Sequence, residues 1–523
     1  MEAQIRTLVD ISDTEAAHQG RADMVLDRAR WAASVFEGYD RETTMAIVDA
    51  VAICAHEHAG YYAELVVKES GFGVAAHKKI KNELTAHPLV DFYRDQDFVN
   101  ARVDEARKIV ELPRPAGVIF ALTPSTNPIA TLHFKILMAL MTRNAIVISP
   151  HPAVKESSVL AARALCDAAE AAGAPKSIIQ IIEEPTIPMV ETFMKSPKTN
   201  VILATGGAPM VRAAYSSSNP AIGVGPGNAP VYVDATADIS KAAKRIVMSK
   251  SFDNSVLCTN ESVLITTRDA EKQLIIALKA ADAYICSTDD TDRLRRFLFH
   301  PNGFNIEAIG RDATWIAQEC GIRVPSKTKI LVTPITQIGI EDPLSKEKLC
   351  PVLAMHVAPS RNLAMVQARA VLRLVGAGHS AAVHAGDEAV VMQYAGMVEA
   401  YRVVVNAPCS QGAAGFATNL APTFTIGTGF FGRSSIGENV GPQHLVHWTR
   451  VAYNADADEP FGNYHGLVRP FRGPLAEAPA DGMPESPAPR QFIQAPQTSA
   501  IDGATKDELR RLIAEELRDM LRK

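Results

Sequence analysis

The chain is predicted to be an α/β protein with two doubly wound domains, and three observations carry that prediction. From residue 117 onward, short and nearly continuous apolar runs alternate with helical periodicity. This is the pattern of parallel strands covered on both faces by crossover helices. At 523 residues the chain exceeds what one core organises, which calls for two or three domains. A composition of 47% hydrophobic and 21% charged residues is that of a folded globular protein.

Taken in order, residues 20–107 place apolar side chains three and four apart, as around 46–53 and 62–67, and predict helices. The rhythm changes after Pro113. Residues 117–122 form an expected strand, a helical stretch reaches about 142, and 145–149 is the next strand. An alanine-rich helix over 153–172 closes at Gly173, a C′ glycine. Strands are predicted at 178–182, 200–204 and 229–233. These elements set a cofactor-binding domain at 1–234, with 428–457 returning to it or to an oligomer interface. A second mixed segment, 235–427, begins with a helix at 239–250 and includes a run at 329–333, a helix at 362–374 and a Gly-His-Ser turn at 378–380. It is expected to be a catalytic domain facing the first across a cleft.

Prolines and alanines then make 458–504 an expected extended linker. Beyond it, Leu509, Leu512, Ile513, Leu517, Met520 and Leu521 share one helical face behind a Thr505 to Glu508 capping box. Residues 505–523 are therefore predicted to be an amphipathic helix that needs a partner for its apolar face.

Charge and cysteine usage exclude several classes. A net charge of −5 without a basic block in the body of the chain argues against nucleic acid as a partner. The first residues lack the layout of a signal peptide, and the greasiest candidate helix, 128–142, contains His133 and Lys135 and is too short to span a membrane. Seven scattered cysteines without a Cys-x-x-Cys pair predict reduced thiols in a cytoplasmic protein, with neither disulfide framework nor metal site.

Ligands in doubly wound sheets bind beyond the carboxyl ends of the strands, which directs attention to the loops there. Residues 205–212 pair two glycines with a helix start whose free N–H groups suit a phosphate. Residues 149–152 offer a hydroxyl and an imidazole, and the glycines of 223–230 let the backbone approach a ligand or another segment. Cys258 stands at a loop-to-strand junction, where a side chain is both held and reachable. A thiolate there splits one hard acyl step into two easier ones, against the plainer alternative of a packing cysteine.

Seven segments share a further likeness: Glu69-Ser-Gly-Phe-Gly73, Thr123-Pro-Ser-Thr-Asn-Pro128, Thr142 to Pro152, Ile202-Leu-Ala-Thr-Gly-Gly207, Ala221 to Pro230, Phe252-Asp-Asn-Ser-Val-Leu-Cys258 and Glu438 to Leu445. Together they resemble the aldehyde dehydrogenase superfamily in its CoA-acylating branch, over roughly residues 20–455. The likeness is to the aldehyde dehydrogenase half of bifunctional aldehyde-alcohol dehydrogenases and to the propionaldehyde and acetaldehyde dehydrogenases of bacterial microcompartments. It implies that Cys258 is the nucleophile and that Asn127, with the Cys258 N–H, stabilises the oxyanion. It implies NAD lined by Thr123, Pro124, Ser149, His151, Pro152, Gly206 and Gly225, with Glu347 on the nicotinamide ribose. NAD is expected over NADP by family analogy, and His151, where hydrolytic members usually carry lysine, leaves that choice open.

Hydrolytic members activate water with a glutamate where this chain has Val224, so the resemblance implies that the thioester passes to coenzyme A. Glu261, three residues along the expected strand, projects from the opposite face. His379 matches a histidine that would assist CoA attack. The implied substrate is a short-chain aldehyde, propionaldehyde or acetaldehyde, and the implied assembly a homo-oligomer, dimer or tetramer. Residues 505–523 resemble an encapsulation peptide that binds microcompartment shell proteins, which would place the protein in the compartment lumen. The alternatives are a hydrolytic aldehyde dehydrogenase giving free acid and a catalytically silent scaffold.

Overall fold

A computed structural model describes residues 14–301, 303–464 and 467. The chain divides into units 1–477 and 478–523, and the described residues belong to the first. The amphipathic helix expected at 505–523 and most of the expected linker lie outside the described residues.

Five helices come first: α1 (Glu15–Phe36), α2 (Arg41–Glu57), α3 (Ala59–Ser70), α4 (Ala75–Leu84) and α5 (His87–Tyr93). Asp40 starts α2 by accepting the Thr43 N–H at 2.8 Å, satisfying one orphan donor of the first turn. The expected helical stretch to 107 stops earlier, because Arg102–Asp104 (β1) pairs antiparallel with Ile109–Pro115 (β2). The first parallel sheet contains Val118–Leu122 (β3), Ala145–Ser149 (β4), Ile179–Ile181 (β5), Val201–Thr205 (β6) and Ala221–Val224 (β7) in the order β5-β4-β3-β6-β7. The chain starts in the middle and winds outward both ways. The crevice beyond the carboxyl ends of β3 and β6 is the switch point where such sheets hold ligands.

The helix between β3 and β4, α6 (Pro128–Met141), is buried at every position. It is apolar all round because it is enclosed on all sides rather than laid on a surface. Pro128 at its first turn sets the helical φ and leaves Asn127 at the N-cap, facing the crevice side. Lys135 within it donates to the carbonyls of Leu122 (2.7 Å) and Leu203 (2.8 Å), bridging the two strands that border the switch point. The next helix, α7 (Lys155–Ala171), is capped by Glu69, whose carboxylate accepts the Glu156 and Ser157 N–H groups at 2.8 and 3.0 Å.

A second parallel sheet of seven strands uses Ala229–Val233 (β8), Glu261–Thr267 (β9), Ala283–Ile285, Ile330–Pro334, Val352–Ala358, Gly378–His384 and Ala400–Val405. Here the sequence expectation is corrected. Residues 229–233, assigned to the first domain, pair with β9 on one side and with Gly378–His384 on the other. The break between the sheets therefore falls at 225–228, in the glycine-rich loop. Finally Val446–Ala452 runs antiparallel along β2, closing a three-stranded sheet. Among the described residues no helix is long and apolar enough to cross a membrane.

Candidate active site

Cys258 sits on the turn entering β9, reached through a contorted segment. Asp253, Asn254 and Ser255 hold φ of 49°, 50° and 69°, left-handed values that cost a non-glycine residue about 1–2 kcal/mol each. Such strain persists only where the surroundings enforce it. Here Asp253 accepts the Val74 N–H at 2.6 Å and gives its own N–H to His77 Nδ1 at 2.9 Å. Asn254 donates to Gly310 O at 2.9 Å, while Asn260 accepts from the Ser255 hydroxyl at 2.7 Å and from Lys250 at 2.8 Å. The Cys258 loop is thus over-determined from both ends.

The other constraint is a close approach. A β-carbon on Gly227 would stand 1.9 Å from the Cys258 carbonyl oxygen, so only glycine lets this loop lie against the cysteine. That is the use expected for the glycines of 223–230.

Cys258 opens onto a cavity of about 970 Å³, the upper end of the range for ligand sites. Asn127, Thr123, Pro124, Ser149, His151, Pro152, Gly206, Gly225 and Glu347 all line it, as does Val224. The sequence expectation therefore brings together one site from segments spread over 225 residues. Asn127 Nδ2 donates to Val256 O at 3.0 Å, two residues before Cys258, which joins Asn127 to the Cys258 loop. Two features suit a nucleotide. Among the described residues the buried Thr123 hydroxyl has no hydrogen-bond partner, and nothing crowds the α-carbon of Gly225. Helix Ala208–Tyr215 starts just after Gly206 and Gly207 and aims its N-terminus there.

Electrostatics at the centre favour neutral forms. Burial, and then the nearby Glu347 carboxylate, push the Cys258 thiol up to about 12, against the opposing pull of its own N–H, Arg402 and Lys81. Burial raises Glu347 to about 8, opposed by Lys250, the Gly227 N–H and Lys348, so near neutral pH it carries a proton. Among the described residues the only other carboxylate on the cavity wall is Glu307.

One expectation needs adjustment. His379 lies in strand Gly378–His384 and not in a turn, and it is not on the cavity wall. It is fully buried with Nδ1 at 3.0 Å from the Ser380 hydroxyl and Nε2 unpartnered, and burial together with the Arg402 charge lowers it to about 3. It packs behind Gly227, its Cε1 3.4 Å from where a β-carbon there would be. Glu261 is buried in β9 with Oε1 accepting the Cys409 N–H at 3.0 Å, away from the cavity as expected. The sequence reading missed Lys78, Lys81 and Asp253, a buried ion cluster beside Asn127.

Comparison with known proteins places this architecture. The model of the aldehyde dehydrogenase family matches residues 6–293. The aldehyde-alcohol dehydrogenase of Clostridium acetobutylicum is 37% identical over 423 residues, covering 80% of this chain and 49% of that protein. This chain thus spans about half the length of the bifunctional relatives it matches. An acetylating aldehyde dehydrogenase from Geobacillus thermoglucosidasius superposes with a TM-score of 0.83 at 36% identity, over 85% of this chain and 99% of that one. A propionaldehyde dehydrogenase from the Clostridium phytofermentans fucose utilisation bacterial microcompartment does so with a TM-score of 0.75 at 28% identity, over 84% and 98%.

Proposed function

Because the chain belongs to the aldehyde dehydrogenase family, we propose that it oxidises a short-chain aldehyde, propionaldehyde or acetaldehyde, to the acyl-CoA through a thioester on Cys258. The observation that carries this reading is the wall around Cys258. Val224 occupies it where the hydrolytic pattern would put a glutamate, which removes the base that pattern uses to activate water. A thioester formed there survives until a thiol arrives.

NAD, held by the lining residues from Thr123 to Gly225 with Glu347 on its ribose, supplies the hydride acceptor when bound. The chain's own residues do the rest. Cys258, its thiol proton lost to solvent, adds as thiolate to the aldehyde carbonyl, and the oxygen's developing charge falls to Asn127 Nδ2 and the Cys258 N–H. Collapse of the hemithioacetal leaves the acyl group on Cys258. CoA then enters the same cavity, and its sulfur displaces Cys258 as thiolate. We assign His379 to this second half, as the acceptor of the CoA thiol proton through Nε2. Because it lies behind Gly227 and burial holds it at about 3, too weak a base for a thiol, that role requires the 225–228 loop to shift when CoA binds, so that water reaches the imidazole and restores its basicity.

The test is direct. Pure protein with NAD and propionaldehyde produces NADH in sustained turnover only when CoA is present. Free acid released without CoA supports hydrolysis and overturns the reading.

We further propose that residues 505–523 address the enzyme to a microcompartment shell, supported by the tail's amphipathic pattern and by the microcompartment origin of one structural relative. Deleting 478–523 is then expected to leave activity in solution intact while dispersing the enzyme from the compartment. Loss of catalysis instead would mean that the tail docks on the enzyme body.

A further inference from the structure

Helix α4 turns Lys78 and Lys81 onto one carboxylate, Asp253, and all three side chains are buried. Two ammonium groups against one carboxylate leave a net positive charge inside the protein. Buried charge is costly unless an anion or an oriented dipole answers it. The remaining contacts show where it is directed. Lys78 Nζ donates to Thr126 O at 3.1 Å, and Lys81 Nζ donates to Asn127 Oδ1 as well as to Asp253.

An ammonium has only donors, so the Asn127 atom it faces must be oxygen. That contact settles the amide orientation, which would otherwise be ambiguous. Nδ2 is thereby turned to Val256 O, and its second N–H meets only the Thr126 hydroxyl at 3.3 Å, a long contact that an oxyanion can replace. Asp253, five residues before Cys258, ties the same ammonium to the nucleophile's strained loop.

We propose that Lys81 is a positioning residue for the chemistry at Cys258: it locks the Asn127 amide with its N–H groups toward the oxyanion and supplies the positive charge that the oxyanion answers. This rests on the functional reading above. Two further facts support it. Burial and the Lys78 charge draw Lys81 down to about 8 against the pull of Asp253, and Cys258 and Lys81 each feel the other's charge.

The experiment uses the full chain with Lys81→Met, Asn127→Ala and the double variant, each checked for a cooperative melt. Removing a preorganised oxyanion donor costs about 10²–10³ in kcat, and Lys81→Met is expected to approach that loss with the aldehyde KM changed less than about threefold. The double variant is expected to fall no more than about threefold below Asn127→Ala, because Lys81 acts through Asn127. Wild-type kcat in folded Lys81→Met, or losses that multiply in the double variant, would overturn the proposal. Should Lys81→Met not fold, Lys81→Gln removes the charge while keeping a donor for Asn127 Oδ1, and it is judged by the alkylation readout below instead of by kcat.

A second readout does not depend on turnover. The alkylation profile of Cys258 with iodoacetamide over pH 6–8, where Lys81 keeps its charge, is expected to drop to lower rates in Lys81→Met, and an unchanged profile counts against the charge. A wild-type enzyme that fails to make acyl-CoA would sink the functional reading, while the alkylation profile would still decide whether Lys81 and Cys258 are coupled.

Discussion

Replacing Gly227 by alanine adds one methyl group at the point where two loops touch. The built β-carbon lies 1.9 Å from the Cys258 carbonyl oxygen, whereas real β-carbons essentially never come within 3.0 Å of another heavy atom, so one backbone must retreat by about 1.1 Å. Gly227 has no positive φ, so alanine meets no intrinsic backbone penalty and the effect is purely steric. Neither neighbour yields easily. One is the turn anchored by Asn260 and Asp253, and the other precedes Asn228, whose Nδ2 donates to Ser345 O and Val371 O at 3.0 and 2.8 Å. A displacement of about 1 Å at a reacting atom costs on the order of 100-fold in rate, or about 2.7 kcal/mol of transition-state stabilisation. The expected result is a fall of that size in kcat/KM for the aldehyde, measured by NADH absorbance with saturating CoA, with a smaller change in melting temperature. A folded Gly227→Ala enzyme with unchanged kcat/KM would refute the claim that this contact positions Cys258.

Two other outcomes follow from the same geometry. His379→Ala is expected to retain a rapid burst of one NADH per active site while steady-state turnover slows by about 10²- to 10⁴-fold, the usual worth of a proton-transfer group; loss of the burst would place His379 in the first half-reaction. Glu261 is buried with its carboxyl raised by burial to about 7 from an ordinary 4.5. The folded state therefore binds the proton more tightly, so stability is fully present below pH 4.5 and declines as pH rises through 7, by roughly 3 kcal/mol on 1.36 kcal/mol per unit. Denaturant midpoints at pH 5 and 8 are expected to differ less in Glu261→Gln than in wild type, and an equal difference would contradict the assignment.

The strands were legible because those buried on both faces are written as unbroken apolar runs, as at 118–122 and 145–149. Their partners were not. Residues 229–233 look like any other buried strand, and only pairing with 261–267 reveals the sheet to which they belong. The site shows the same division. Cys258, Asn127 and the nucleotide loops announced themselves through motif likeness and glycine-rich turns. Lys81 and Asp253, 172 residues apart, read singly as a charge on an amphipathic helix and a polar loop residue. The faint available signal was the spacing of Lys78 and Lys81, which puts both ammonium groups on one side of α4. His379 shows the limit of local pattern in the other direction: a Gly-His-Ser tripeptide suggests a turn, yet residues 378–384 pair on both sides as a strand.

The proposed chemistry turns on what relieves Cys258 of its acyl group. Full-length enzyme is mixed with NAD and propionaldehyde without CoA, quenched in acid, and examined by peptide mass spectrometry, with a parallel sample receiving CoA before the quench. The expected result is a propionyl adduct on the Cys258 peptide that persists without CoA and is discharged as propionyl-CoA when CoA is added. Propionate released without CoA, or an adduct on any residue other than Cys258, would contradict it.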